Sequence, residues 1–314
     1  MTRALLLAAC LAACTDSTTG GPRSGASIWV TPSPTIDPTA LPLGDQKFTA
    51  DGPRAGWVFT CDPKMFQRTD MPEPKEVGAW VHASDGTYDV TSKVFVTGDV
   101  TWSDASFSIA VDGDRRTITG NALPVGVATG TYPVATTDPA YRYDPNPNAI
   151  QQQAISFSIP AQPAVAASPA CTYKEIGITL DGVELQLPLN TVGDDELAYM
   201  IQDECTGGSQ PGGRYHRHAL GDCVPHIHER AALVGYALDG FGIYSPYDRD
   251  GNELTSADLD ECHGITSEIE WDGQTVTMYH YVLTRDYPYT ITCFRGTPTR
   301  NAFPPLPGEP TQTR

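Results

Sequence analysis

The sequence predicts a mainly β fold, in which a duplicated β unit of about sixty residues forms a disulfide-stapled, β-sandwich-like domain with few short helices. Three observations lead to this prediction. Proline (27 residues) and glycine (29 residues) are spread through the 314-residue chain, which disfavours long helices. Several short runs alternate polar and apolar residues, as strands with one buried face do. A set of motifs then occurs twice in the same order, which indicates an internal repeat.

The first 14 residues resemble a bacterial lipoprotein signal peptide. Arg3 precedes the apolar run "ALLLAACLAAC", which is too short to span a bilayer, and the final Leu-Ala-Ala-Cys makes Cys14 the lipidated residue. Residues 15–27 are rich in Thr, Ser and Gly and predict a flexible tether. We therefore expect an exported, membrane-anchored lipoprotein, periplasmic or on the cell surface, that contacts the membrane through its N-terminal lipid only. An ordinary secreted protein cleaved nearby is the alternative.

Behind the tether, residues 28–112 predict an N-terminal β-rich region, and residues 113–300 predict the duplicated domain. Candidate strands share period-2 or apolar patterning and are Ala79–His82, Val94–Val96, Phe107–Val111, Thr117–Thr119, Ile155–Ile159, Ile176–Leu180 and Val183–Leu187. Asp-Gly pairs between such runs predict hairpin turns. Only Asp194–Ile201 and Ser256–Glu261 have the pattern of short helices. Residues 301–314 predict a disordered tail.

The formal net charge of −18 limits the classes of partner. An acidic surface repels phosphate backbones, so nucleic acid is not an expected partner. The same charge suits cations.

The repeat spans residues 177–223 and 235–293. Gly177 and Gly235 open Gly-x-x-Leu-Asp-Gly segments at an offset of 58 residues, and each unit then continues with further shared landmarks. In chain order these are Asp203-Glu204-Cys205 and Asp260-Glu261-Cys262, Tyr215-His216 and Tyr279-His280, and the closing Cys223 and Cys293. With Pro188 and Pro246, each eleven residues after its leading glycine, five landmarks recur in the same order, which a tandem duplication explains.

Six cysteines follow the signal peptide, an even number that favours three disulfides in an exported chain. Each unit has one cysteine before its Tyr-His pair and one after it. The repeat therefore favours Cys205–Cys223 and Cys262–Cys293, which leaves Cys61–Cys171. Mixed pairing across the units is the alternative.

Six of the seven histidines fall between His216 and His280, and they include two His-x-His pairs. On a strand, residues two apart point to the same face, so His216 and His218 can converge on one metal ion. If the two units pack face to face, His280 becomes a third ligand. Imidazole ligands without thiolates suit copper or zinc. His226 and His228 are weaker candidates, and the alternative is that all these histidines are structural.

The sequence is also compatible with three other functions. A calcium site could use the acidic side chains Asp248, Asp250, Asp258, Asp260 and Glu261, although an EF-hand register starting at Asp248 places Leu259 where the bidentate glutamate belongs. A hydrolase-like enzyme could pair the histidines with Asp239 or Glu261 as general base. A surface module could instead bind a glycan or protein partner.

The motifs resemble the YHYH-domain family of exported bacterial proteins, from about residue 115 to residue 296. The stretches that carry the resemblance are "NPNAI", "IGITLDGVEL", "DECTGGSQPGGRYHRH", "LVGYALDGFGIYSPYD", "DLDECHG" and "YHYVLTRDYPYTITCFRG". The family pattern is Tyr-His-Tyr-His, whereas Arg217 stands at the third position of the first copy and Val282 at the fourth of the second. The family also tends to have histidines where this chain has Ser209 and Ile265. The resemblance implies a cell-envelope setting and leaves His216, His218, His263 and His280 as candidate ligands.

Overall fold

A computed structural model describes residue 33 and residues 35–67, 76–219 and 221–305 of the chain. The predicted signal peptide with Cys14, the tether and residues 306–314 of the predicted tail lie outside these ranges. The strands are β1 (Leu41–Pro42), β2 (Phe48–Thr49), β3 (Val58–Phe59), β4 (Val81–His82), β5 (Thr87–Tyr88), β6 (Phe107–Asp112), β7 (Arg115–Gly120), β8 (Ile155–Pro160), β9 (Glu175–Thr179), β10 (Glu184–Gln186), β11 (Gly207–Ser209), β12 (Tyr215–Arg217), β13 (Leu233–Ala237), β14 (Gly242–Tyr244), β15 (Gly264–Trp271) and β16 (Gln274–Val282). Within the described ranges, helical structure is limited to α1 (Glu196–Tyr199) and 3₁₀ turns at Pro63–Phe66, Pro139–Arg142 and Ser256–Asp258. The mainly β class is confirmed.

The repeat is confirmed as a structural duplication. One eight-stranded sheet has the order β11-β12-β10-β9-β13-β14-β16-β15, so that unit 1 (β9–β12) and unit 2 (β13–β16) form its two halves. The halves meet where β9 pairs antiparallel with β13, and Ile178 lies opposite its own repeat counterpart, Tyr236. A pseudo-two-fold axis therefore passes between these two residues.

The leading glycine of each repeat motif is required by this central strand pair. A Cβ on Gly177 would lie 2.7 Å from the carbonyl oxygen of Tyr236, and a Cβ on Gly235 would lie 2.6 Å from that of Ile178. Both distances are shorter than van der Waals contact allows. The two glycines thus let the central strands approach each other.

A second layer covers the duplicated sheet. β6, β7 and β8 form a three-stranded antiparallel sheet, and its buried residues Ile118 and Ile159 join the same hydrophobic core as Ile178 and Phe241. The Leu-Asp-Gly turns of both units lie against this layer. A Cβ on Gly182 would lie 3.0 Å from the Phe107 side chain, and a Cβ on Gly240 would lie 2.5 Å from the carbonyl oxygen of Pro160. The sandwich-like arrangement is confirmed.

The N-terminal region packs on both units rather than forming a separate body. The predicted boundary at residues 112 and 113 falls in the turn of the β6–β7 hairpin, so the chain is not divided there. Trp80 Nε1 donates to the carbonyl of Ala198 (2.8 Å), and the hydroxyls of Tyr88 and Tyr289 are 2.9 Å apart. The predicted strand at Val94–Val96 is reduced to one bridge, at Val96.

Three further features bear on the predictions. The disulfides are Cys61–Cys171, Cys205–Cys223 and Cys262–Cys293, as the repeat indicated. The predicted disordered tail was wrong at its start, because Ala302 and Phe303 are buried and Phe303 packs against Phe157. Over the described ranges, no helix has the length and apolar character needed to cross a membrane.

Candidate functional site

The Asp-Glu-Cys-x-Gly and Tyr-His motifs of unit 1 form one hydrogen-bonded hub. The buried carboxylate of Asp203 accepts from the backbone N–H groups of Cys205 and Gly207, both at 3.0 Å. It also accepts from the Tyr215 hydroxyl at 2.8 Å. Gly207 is needed because a Cβ there would lie 2.1 Å from the Tyr215 ring. The motif therefore fixes strand β12, which carries the first histidine.

Unit 2 repeats the hub. Asp260 accepts from the N–H of Cys262 (2.9 Å), from that of Gly264 (3.0 Å) and from the Tyr279 hydroxyl (3.0 Å). A Cβ on Gly264 would lie 2.2 Å from that hydroxyl oxygen. Asp260 is thus an architectural residue, not a free calcium ligand.

The residue after each Tyr-His pair satisfies the buried aspartate of the Leu-Asp-Gly turn. In unit 1 the Arg217 guanidinium lies 2.8 Å from Asp181, with both side chains fully buried. In unit 2 the Tyr281 hydroxyl donates to Asp239 at 2.6 Å. Burial raises the pKa of Asp239, and its hydrogen bonds hold it on the covered side of the sheet. The structure therefore does not place Asp239 with the histidines as a general base.

The predicted convergence of His216 and His280 was wrong. Strands β12 and β16 are separated by four other strands, which corresponds to roughly 24 Å in a flat sheet. The units lie side by side about the pseudo-two-fold axis rather than face to face. His280 instead packs its ring against Tyr244, with ring centroids 4.9 Å apart.

His263 is also distant from the first pair and has a structural environment. It is buried, adopts a left-handed backbone conformation with φ of 69°, and its Nε2 lies 3.0 Å from the Thr284 hydroxyl. Burial lowers its pKa to about 3. His226 and His228 form separate acid–base pairs, with Glu229 at 2.8 Å and Asp222 at 3.4 Å.

The remaining acidic candidates for calcium have local partners. Asp248 accepts from the backbone and side-chain amides of Asn252, both at 2.8 Å, and Asp258 accepts from Thr255. Glu261 lies 3.4 Å from Arg295. Asp250 is in the exposed turn before Gly251. Among the described residues, no group of three or more His, Cys, Asp or Glu side chains is placed to hold a metal ion.

His216 and His218 do lie together, at the unit 1 end of the large sheet. Their ring centroids are 4.9 Å apart and the rings are nearly perpendicular. His216 Nδ1 lies 3.4 Å from the carbonyl oxygen of Arg214, and His218 Nδ1 contacts that of Leu187. A carbonyl only accepts, so both Nδ1 atoms carry the proton and both Nε2 atoms carry a lone pair.

Both imidazoles are neutral at physiological pH. Burial is the main cause that lowers the pKa of each ring, to about 4 for His218, and the nearby charge of Lys174 lowers both further. A carboxyl group lies beside the second ring, because Glu196 Oε1 is 3.5 Å from His218 Nε2. Burial raises the pKa of Glu196 to about 8, so this carboxyl carries little charge.

A polar network lies beside the pair on β10 and the β11–β12 turn. Arg214 forms a buried ion pair with Glu184 at 2.8 Å. Gln186 donates to Glu184 at 2.5 Å and to Gln210 at 3.3 Å, and Lys174 donates to Gln210 at 2.6 Å. In the strand pairing, Glu184 is the direct neighbour of His216.

The same positions of unit 2 have lost this polar character. Glu184, Gln186, Arg214 and His218 of unit 1 correspond to Gly242, Tyr244, Met278 and Val282 of unit 2. His216 and His280 alone keep the same residue type on this face. Sequence reasoning missed Glu184, Glu196 and Gln210, yet a position-by-position comparison of the repeats would have shown that unit 1 carries Glu184 and Arg214 where unit 2 has Gly242 and Met278.

A cavity of about 140 Å³ lies in unit 2, lined by Arg230, Ala231, Arg249, Ile269 and Glu270. It contains none of the candidate histidines. The enzymatic interpretation, in which the histidines pair with Asp239 or Glu261, therefore gains no support from it.

Comparison with known proteins agrees with the motifs. Residues 156–255, which include β9–β14 and all of β8 but its first residue, match the family model described as YHYH protein. No curated protein and no solved structure matches the chain significantly. The three disulfides and this family both indicate an exported protein. Residues 156–255 are therefore similar to the YHYH protein family, in agreement with the resemblance that the Tyr-His and Leu-Asp-Gly motifs carry.

Proposed function

We propose that this exported protein binds one transition metal ion, copper or zinc, at the His216–His218 pair. The observation that supports this function is the arrangement of the two rings. Each donates its Nδ1 proton toward a backbone carbonyl and keeps its Nε2 lone pair, which is how metal-binding histidines are usually oriented by their surroundings.

The donor chemistry favours copper or zinc over harder ions. The three disulfides take up Cys61, Cys171, Cys205, Cys223, Cys262 and Cys293, so thiolates are not available from them. Imidazole nitrogens with nearby oxygen donors suit Cu(II) and Zn(II), and Cu(II) binds most tightly in the divalent series.

Two protein nitrogens leave coordination positions open for water or an added ligand. A site of this kind suits the uptake and release of an ion, in contrast to a closed structural zinc site with four protein ligands. We propose storage or delivery of the metal at the cell envelope. The lipid on Cys14 would hold the protein there, and incorporation of labelled fatty acid into the wild type but not into Cys14→Ser tests this anchor.

Metal analysis tests the proposal with a matched control from the repeat. The His216→Ala/His218→Ala double variant should lose stoichiometric Cu(II) or Zn(II) in elemental analysis of protein purified without an affinity tag. The His280→Ala variant removes the corresponding residue of unit 2 and should keep the metal. Wild-type protein that takes up neither ion, or equal metal loss in both variants, would overturn the proposal.

A further inference from the structure

A buried amide of unit 1 has an unused hydrogen-bond donor beside the histidine pair. Gln210 is 7% exposed, and its Oε1 accepts from Lys174 and from Gln186. These two donors fix the orientation of the amide, because flipping it would place donors against donors. Its Nε2 has no hydrogen-bond partner within the described part of the chain. A buried donor of this kind requires an oxygen acceptor.

The Gln210 amide belongs to the network beside the proposed metal ligands, because it accepts from Gln186, which also donates to Glu184, the strand neighbour of His216. The Gln210 backbone N–H donates to the carbonyl oxygen of Arg214 at 3.2 Å. The same oxygen is the atom that His216 Nδ1 contacts at 3.4 Å. One carbonyl thus joins the Gln210 backbone to the first histidine ring.

The charges around Gln210 favour an anionic oxygen. The Arg214 guanidinium is used within the protein, by Gln153 (3.1 Å), Glu184 (2.8 Å) and the carbonyl of Pro304. Lys174 is the cation in contact with the Gln210 amide, and its ammonium lies near enough to both histidines to lower the pKa of each ring. A ligand oxygen that faces Gln210 therefore meets an N–H donor and a positive charge, which together suit a carboxylate.

We infer that the open positions of the metal are taken by a small α-amino or α-hydroxy carboxylate, whose carboxylate is recognised by Gln210 and Lys174. This inference rests on the proposed function, since the metal holds one end of the ligand. A carboxylate with an adjacent amine or hydroxyl chelates a metal through two atoms, and its second carboxylate oxygen stays available for the protein. The site would thus take up the metal together with its chelator.

The first arm of the test compares two chelators on the wild-type protein. The Cu(II)-loaded protein is titrated with glycine and with ethanolamine, which also offers an amine and an oxygen but has no carboxylate, and the visible Cu(II) absorption is followed. Glycine should bind more tightly than ethanolamine, partly because its carboxylate is the better Cu(II) ligand, and the part that Gln210 supplies, at least about tenfold for one charge-assisted hydrogen bond, should be lost in the Gln210 variant below.

The second arm uses substitutions at the proposed carboxylate contacts. Gln210→Glu keeps an acceptor for Lys174 but replaces the Nε2 donor with an oxygen that repels a carboxylate. It should bind Cu(II) alone like the wild type and lose at least about tenfold in affinity for glycine. Lys174→Met, which removes the charge and leaves the Gln210 amide in place, should also weaken glycine binding.

The outcomes separate this inference from the metal site itself. Absence of Cu(II) binding would overturn the proposed function and the inference with it. If Cu(II) binds but glycine only removes it, or if glycine binds no better than ethanolamine, the inference is overturned and the metal site stands. Thermal unfolding of each variant confirms that the native fold is retained before titration.

Discussion

The hydroxyl of Tyr215 lies 2.9 and 2.8 Å from the two carboxylate oxygens of Asp203, twelve residues earlier in the chain. The same relationship joins Tyr279 to Asp260 in unit 2 at 3.0 Å. The tyrosine of each Tyr-His pair therefore anchors the strand, and the histidine that follows it points to the opposite face. Within this motif the tyrosine therefore has the structural role, and the adjacent histidine is the candidate functional residue.

We expect Tyr215→Phe to lower the free energy of unfolding by about 1–3 kcal/mol, because it removes a donor from a buried carboxylate. Asp203 is only 1% exposed, so water cannot replace the hydroxyl easily. Tyr279→Phe is the matched change and should cost less, since Asp260 is partly exposed. Urea unfolding with the disulfides intact measures both. Equal costs would contradict the role that we assign to burial.

Unit 2 has a tyrosine, Tyr281, at the position of Arg217, and this difference allows a second prediction. Arg217→Leu leaves the buried carboxylate of Asp181 without its partner, and we expect a loss of about 3–5 kcal/mol. Arg217→Tyr introduces the residue that unit 2 uses against Asp239, so it should recover part of this loss. Thermal and urea unfolding compare the two variants. The prediction fails if tyrosine is no better than leucine at this position.

The pH dependence of stability should show the contribution of His263. Its pKa of about 3 in the folded protein is below the ordinary value of 6.5, so between these pH values only the unfolded chain takes up the proton. Stability is fully present above pH 6.5 and is lost as the pH falls, by about 1.4 kcal/mol per pH unit.

His263→Asn isolates this effect, because asparagine also accepts a left-handed backbone conformation. Buried Asp195 and Glu196, with pKa values raised to about 7 and about 8, change stability in the opposite direction in both proteins. The difference in unfolding free energy between wild type and variant should therefore shrink from pH 7 to pH 4. A difference that is constant with pH would show that His263 does not titrate in this way.

The duplication and the disulfides could be predicted from sequence because both depend on residues that recur in order. Gly177 and Gly235, for example, are required by the central strand pair and cannot change without separating it. Arg217 was harder to interpret, since it departs from the family pattern. The structure shows that Arg217 contacts the buried aspartate of the Leu-Asp-Gly turn, as Tyr281 does in unit 2, so this contact is kept.

The packing of the two units could not be predicted, and the three-histidine site failed for that reason. A repeated sequence is compatible with units that pack face to face or side by side. The pairing of Ile178 with Tyr236 in the structure shows that the units lie side by side. The network around Gln210 was missed for a related reason. Lys174, Gln186, Glu196 and Gln210 come from separate segments that are joined only by the fold.

The central pairing of β9 with β13 also has a consequence for how such a chain arises. A single unit would have its β9 edge unpaired, and a second identical unit could close that edge about a true two-fold axis. The present chain therefore holds, in one polypeptide, the arrangement of a symmetric homodimer. Covalent fusion makes this assembly independent of protein concentration and lets each half acquire its own chemistry.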